Sequence, residues 1–294
     1  MRLKDHLSFW IKYYKHDLPV ENIQLSSSEN ERLDLYCKLD NNFVLKKPIK
    51  ANSISKTKST GYAYDWFSII DRDDERFCNI EFGDVDRILT EPTFVKSRPI
   101  SLRNENNVIL PLDTIRHLHF VDDNFSFKNK KDIALWRGAV YQPHRIKFID
   151  KNSNSNLCNI ADTGSHTKNF FLGKSINYLS IKNQLQYKFI FAIEGNDVAS
   201  NLKWIMSSNS IPIMPKPKFE TWFAESLLEP EKNFIEIDDD FSNVDSQIEF
   251  YLARPKLCMS IIKENHRYVS DFQDIGRQYT LARLVSERYF DLTS

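Results

Sequence analysis

Glycine is scarce in this chain, with 7 among 294 residues. Neither GxxxxGK-S/T nor GxGxxG occurs, so the two familiar glycine-rich phosphate loops are excluded. Cysteine is sparser still. Cys37, Cys78, Cys158 and Cys258 stand far apart with no CxxC pair. That excludes a clustered thiolate zinc site and a disulfide framework, and leaves buried free thiols as the expectation. No apolar run reaches the roughly 18 residues of a membrane-spanning helix. The N-terminus opens Met1-Arg2-Leu3-Lys4-Asp5-His6, without the apolar core of a signal peptide. A reducing, cytoplasmic location is the expectation. An excess of one charge is also missing: Lys+Arg and Asp+Glu number 40 each. Bulk nucleic-acid binding, which needs a basic excess to displace counterions, is therefore not expected.

What is present is globular: 41% hydrophobic and 27% charged residues, with 13% aromatic. At roughly 150 residues per domain the length predicts about two domains. Residues 3–14 have helix-like apolar spacing, with Leu7, Trp10, Ile11 and Tyr14 on one face. The polar stretch 52–60 reads as a loop, and 77–82 as a strand broken by Gly83. From about residue 130 to 270, short apolar runs alternate with helical patterns. Strands are expected at 133–136, 157–161, 187–193, 211–214 and 233–237, and helices from Pro143, over 198–208 and from Asn243. That alternation predicts an α/β fold with a parallel sheet. Residues 275–290 read as a long amphipathic helix. The expected division is 1–127, 128–274 and a C-terminal helix over 275–294.

Ligands of doubly wound sheets bind at the carboxyl ends of strands, and two predicted strand ends carry unusual residues. The first is Trp136-Arg137-Gly138, with Arg145 seven residues after the glycine. Gly138 permits a tight turn and close approach to a phosphate. Arg137 and Arg145 suit bidentate contacts to a diphosphate, beside the free N–H groups of a helix beginning near Pro143. The plainer reading is a strand-ending turn with two surface arginines. The second is Glu194-Gly195-Asn196-Asp197-Val198-Ala199-Ser200-Asn201, leading into Leu202-Lys203. Strand, polar glycine loop, helix is the order of a phosphate or ribose site, though also of an ordinary turn. Asp84, after Gly83 at the end of an apolar run, is a candidate general base or a solvated loop carboxylate. Asp71-x-Asp73 and Asp238-Asp239-Asp240 resemble metal-binding DxD motifs, but solvated turns or helix caps are the plainer reading. His117-x-His119 alternates on an expected strand without further zinc ligands nearby. No metal is expected. Lys46-Lys47 and Lys56-x-Lys58 suit solvent or anionic lipid head groups.

These pieces together resemble glycosyltransferase family 90: Trp136-Arg137-Gly138 with Arg145, Tyr187-Lys188-Phe189 leading to Gly195 through Lys203, Ser207 through Lys216 ending Ile211-Pro212-Ile213-Met214-Pro215-Lys216, and Trp222-Phe223. The family includes Rumi-type protein O-glucosyltransferases, a fungal capsule-associated transferase and bacterial lipopolysaccharide core transferases of the LpsA type. The likeness is greatest to the bacterial branch. It is strong from about residue 130 to 270, weaker from about 77 to 120, and not evident over the first 60. The resemblance implies a GT-B fold, two Rossmann-like domains facing a cleft, with the C-terminal helix packing back on the first. It implies inverting transfer of glucose or galactose from UDP-glucose or UDP-galactose, with no cofactor and no metal. The acceptor it implies is a lipopolysaccharide inner-core sugar, reached by peripheral contact with the inner face of the inner membrane.

Residue by residue, Arg137, Gly138 and Arg145 match the family's W-R-G-(x)6-R pattern, and Arg145 is expected near the donor diphosphate. Gly195 matches the glycine opening the second donor loop, with Asn196, Asp197 and Ser200 following. Asn201 stands where other members carry Arg or Ser, and Lys203 is the candidate to replace that charge. Asp84 falls at the family's catalytic aspartate, with Asp86 the nearby rival. The open alternatives are the same chemistry on a capsule glycan or protein serine, and a non-catalytic sugar-nucleotide-binding protein.

Overall fold

The computed structural model describes residues 24–54, 60–164, 170–171, 174–175 and 177–293. The helix expected over 3–14 and Lys56 and Lys58 lie outside the described residues. In chain order come helix α1 (Ser27–Tyr36), strand β1 (Ile49–Lys50), helix α2 (Thr60–Ile69), strands β2 (Phe77–Cys78), β3 (Ile80–Glu81), β4 (Thr93–Val95), β5 (Ser97–Pro99) and β6 (Asn107–Ile109), and helix α3 (Thr114–His117). There follow β7 (Lys131–Gly138), α4 (Pro143–Asn152), β8 (Cys158–Asp162), β9 (Phe170–Phe171), β10 (Lys174–Ser175), α5 (Ile181–Gln184) and β11 (Tyr187–Phe191). The chain continues with α6 (Leu202–Met206), β12 (Ile211–Met214), β13 (Phe219–Thr221), β14 (Ile235–Glu236), α7 (Val244–Leu252), α8 (Pro255–Ser270) and α9 (Ile275–Thr293).

These elements form two units. The first takes the described residues up to His117, Phe219–Ala224, and the chain from Asp274 onward. Its three-stranded parallel sheet has the order β3-β4-β6. Every residue of β4 and β6 is buried. Phe94 of β4 meets Trp66 of α2 at 5.5 Å and Tyr289 of α9 at 3.9 Å between ring centroids. The polar tips of these rings are satisfied: Trp66 Nε1 donates to the Ala51 carbonyl at 2.9 Å and Tyr289 Oη to that of Pro92 at 3.0 Å. The C-terminal helix thus belongs to this unit's core.

The second unit is Leu118–Lys218 with Glu225–Gln273. Its five-stranded sheet has the order β14-β12-β11-β7-β8, with each neighbouring pair parallel. The apolar faces of β11 and β12 supply the core, and Phe148 of α4 packs edge-on against Trp136, Phe191 and Phe241 at 5.6, 4.9 and 5.2 Å.

The boundaries differ from the division expected at 127/128, and the side chains explain why. Val121 N donates to Ser207 Oγ at 2.9 Å, and Asp123 pairs with the buried Lys130 at 2.6 Å. Residues 118–127 therefore belong to the second unit. Phe219–Ala224 returns to the first because β13 pairs antiparallel with β5, placing Glu220 against Arg98 in a buried ion pair at 2.8 Å.

Other expectations need correction. The apolar run 77–82 is two short strands. His117 ends a short helix instead of alternating with His119 on a strand. The helix expected over 198–208 forms only over Leu202–Met206, since residues 194–201 are held in a loop. Asn243, not an aspartate, occupies the N-cap of α7, without a side-chain cap bond. Of the DxD candidates, Asp240 accepts from Ser242 N at 3.0 Å and pairs with Lys151 at 2.9 Å, and Asp239 pairs with Lys218 at 2.9 Å. Among the described residues no group of three or more His, Cys, Asp or Glu is placed to hold a metal ion. The cysteines are free thiols, with Cys37, Cys78 and Cys258 buried and Cys158 half-buried.

The ends of the first unit are joined by charge. Ser26 and Glu29 form a reciprocal capping box at the start of α1. Arg277 of α9 donates to both Glu29 oxygens, at 2.5 and 2.8 Å. The Arg277 hydrogen bond is the main reason that the Glu29 carboxyl drops to about 2. A depressed folded-state value stabilises the fold above the unfolded carboxyl value, and that contribution disappears as pH falls through the folded one. Glu29→Gln is expected to cost about 1–2 kcal/mol at neutral pH. Denaturant midpoints of the two proteins should converge as pH falls from the ordinary glutamate range towards that depressed value. A pH-independent gap would contradict the linkage.

Candidate active site

The second unit's five strands run 2-1-3-4-5 in spatial order when counted from β7. Its chain reverses direction across the sheet between β7 and β11, and crevices at such switch points are where ligands of open α/β sheets bind. Both unusual strand ends from the sequence lie there. β7 ends in Arg137-Gly138, and the 194–201 loop follows β11.

Arg145, in the first turn of α4, ties the two ends together. Its Nη1 donates to the Ala139 carbonyl at 2.9 Å, its Nη2 to Ile193 at 2.8 Å, and its Nε to Glu194 at 2.8 Å. The guanidinium carbon lies 5.6 Å from the Trp136 ring centroid. Burial lowers its pKa, and no carboxylate contributes to the shift. An arginine stays charged under such conditions. Its positive charge is therefore solvated by carbonyl dipoles and not cancelled by an acid among the described residues.

Two glycines border this packing. A Cβ on Gly195 would lie in van der Waals contact with the guanidinium, 3.4 Å from Arg145 Nη2. A Cβ on Gly138 would lie 2.6 Å from Trp136 Cζ2. Gly138 is thus required by the indole beneath it, a constraint that the motif alone did not reveal. Arg137 is likewise committed to structure. It donates to the carbonyls of Trp136, Asn159 and Asn177 at 2.7, 2.8 and 2.9 Å, and to Asn159 Oδ1 at 2.8 Å. Its pKa too is lowered by burial.

The loop after β11 is cross-tied. Asn196 Oδ1 accepts from Gln142 Nε2 at 3.0 Å, Gly195 N donates to the Asp197 carbonyl at 2.9 Å, and Asn201 Nδ2 donates to the Phe191 carbonyl at 2.9 Å. Asp197 is buried and Ser200 half-buried in the same turn. Lys203 departs from expectation: it is fully buried and ion-paired with Glu225, so its ammonium does not take the place of the missing loop arginine. Sequence reasoning missed His144, whose Nε2 lies 2.8 Å from the Glu194 carbonyl. It gave no role to residues 216–218 either. Lys218 N donates to Glu194 Oε1 at 3.0 Å, bringing Lys216 and Lys218 to the ends of β12 and β14. A Pro-Lys-Pro-Lys run directly after a strand was the available signal.

Asp84 lies in the first unit. Gly83 precedes it at φ 104, a conformation that favours glycine. Lys96 Nζ approaches Asp84 Oδ1 at 2.5 Å, and the Asp84 side chain is 31% exposed. Asp86 is exposed as well. Lys96 was not singled out in the sequence, although a lysine inside Thr93-Phe94-Val95-Lys96-Ser97 is out of keeping with its neighbours.

An uncancelled guanidinium at a sheet switch point stands where ligands of open α/β sheets bind, and its charge suits an anionic group. The family model for glycosyl transferase family 90 matches residues 108–280. The chain is 36% identical over 272 residues to the O-glucosyltransferase LpsA of Dichelobacter nodosus, covering 92% of this chain and 85% of that protein. The chain belongs to glycosyl transferase family 90. All residues of the switch-point cluster fall within the matched span, and Asp84 falls before it.

The Gly138 contact is open to direct test. Gly138→Ala is expected to destabilise the protein by about 1–3 kcal/mol, because a rigid buried indole must shift. A denaturant midpoint equal to that of the parent would contradict the assignment.

Proposed function

We propose that the protein is an inverting, metal-independent glycosyltransferase of GT-B plan that moves glucose or galactose from a UDP-sugar to an inner-core sugar of lipopolysaccharide. The observation that carries this reading is the Arg145 guanidinium, held by three carbonyls at the switch point with no acid to cancel it. Likeness to an O-glucosyltransferase over most of the chain supports glucose and the bacterial glycolipid acceptor. In this reading the UDP diphosphate takes the place of the missing anion, beside the 194–201 loop. The acceptor hydroxyl attacks the anomeric carbon, Asp84 takes its proton, and the bond to the β-phosphate oxygen breaks with its electron pair leaving on UDP. Attack from the face opposite the leaving group inverts the anomeric centre.

The place of action is the cytoplasmic face of the inner membrane, where the core is assembled. No helix among the described residues is long and apolar enough to cross a membrane, and peripheral contact is the proposed mode.

The test is transfer from UDP-glucose and UDP-galactose to deacylated lipopolysaccharide core, with and without EDTA, the product linkage read by NMR. A β-linked hexose formed equally in EDTA is the expected result. An α-linked product, loss of activity in EDTA, or UDP binding without transfer would overturn the corresponding part. Arg145→Lys cannot reproduce the three-carbonyl fork, and its UDP affinity by titration calorimetry is expected to fall at least about tenfold. Unchanged affinity would remove Arg145 from the donor site.

A further inference from the structure

Lys96 stands on the buried side of Asp84. It links β4 to β5, and its neighbours Val95 and Ser97 are buried. Only 1% of its side chain is exposed, against 31% for Asp84. Ser97 holds the following residue of the same loop, its Oγ accepting from Val85 N at 3.2 Å. Two adjacent residues of one extended segment therefore grip two adjacent residues of the loop that Gly83 turns outward. An exposed aspartate needs no buried partner, and an apolar side chain at 96 would avoid the desolvation of an ammonium. Stability alone does not account for the lysine.

Resting on the reading of Asp84 as the base, we infer that Lys96 is a positioning residue for the transfer, holding the Asp84 carboxylate ionised and oriented from within while its exposed side meets the acceptor. The acceptor O–H bond breaks as its oxygen bonds to the anomeric carbon, the carbon–phosphate-oxygen bond breaks with its electron pair, and the proton goes to Asp84. A neutral acid then faces a buried cation, an arrangement that favours passing the proton to water and restoring the carboxylate. Among the described residues, the charged or titratable groups whose fields reach this site include Tyr62 of α2, Asp113 before α3 and Arg116 on α3. Arg116 Nη1 pairs with Asp113 Oδ2 at 3.0 Å. Asp113 is a second carboxylate in this field; a second carboxylate favours protonation of Asp84, and the Lys96 ammonium opposes that effect.

The experiment is the pH–rate profile for transfer from UDP-glucose to deacylated lipopolysaccharide core, for the parent, Lys96→Met, Lys96→Arg, Asp84→Asn and the double variant. UDP affinity is measured alongside. Loss of the cation raises the carboxyl pKa, so the acid limb of Lys96→Met is expected to move up by about one pH unit or more. UDP affinity should stay within about twofold, and Lys96→Arg should restore the parent limb. Asp84→Asn should cut the rate about a hundredfold or more, and adding Lys96→Met to it should change nothing further. That double variant keeps the inference testable if Lys96→Met alone fails to fold. An unmoved acid limb in a folded Lys96→Met protein, or a further large loss in the double variant, overturns the role of Lys96 while leaving Asp84 as the base. Asp84→Asn retaining parent activity, or no transfer by the parent, overturns the base assignment and this inference with it.

Discussion

The second unit depends on one cation shared between two strand ends. Arg145 reaches from the first turn of α4 to carbonyls on both sides of the β7/β11 switch point. A carboxylate there would neutralise it; carbonyl oxygens orient it and leave its charge uncancelled. The neighbouring sequence follows from that choice. Gly195 borders the guanidinium, Trp136 lies beneath it, and Gly138 is obliged to be small by the same indole. Arg137 repeats the device, its donors on three carbonyls and an amide oxygen. In the proposed reaction, a positive charge oriented in advance by these hydrogen bonds would favour the developing anionic leaving group.

Elsewhere cations meet acids directly. In the second unit buried Lys130 pairs with Asp123 and buried Lys203 with Glu225. The first unit pairs Arg98 with Glu220 inside the fold, half-buried Arg277 with Glu29 at the start of α1, and buried Lys96 with Asp84 at the surface. The first two pairs of that unit join segments distant in sequence. The last of these differs because its acid is partly exposed, and that asymmetry is the observation behind the proposed role of Asp84. The proposed reaction thus draws on two electrostatic strategies, an uncancelled cation for the departing diphosphate and a paired carboxylate for the arriving hydroxyl.

Much of this was legible in the chain. Alternation of apolar runs and helical patterns located the parallel sheet, and the two strand ends with Arg137, Arg145 and Gly195 come together as the motif spacing implied. Spacing does not report what a side chain touches. Lys203 looked like a replacement cation, yet α6 turns it into the interior onto Glu225. The helix expected over 198–208 is shortened because Asn196, Asp197 and Asn201 satisfy loop backbone and side chains instead of helical bonds. The indole against which Gly138 packs was likewise not announced by the motif. Strand order was also beyond the sequence, since short apolar runs carry no label of their neighbours; the switch point became visible only with β7 seated between β8 and β11. The return of Phe219–Ala224 to the first unit rests on a strand of three residues, too short for periodicity to announce.

Hydrogen–deuterium exchange of the protein with and without UDP tests the central claim most directly. The account predicts that UDP adds protection in residues 139–145 and 194–201, the two segments that Arg145 joins. Binding of UDP with protection elsewhere and none in these segments would contradict it.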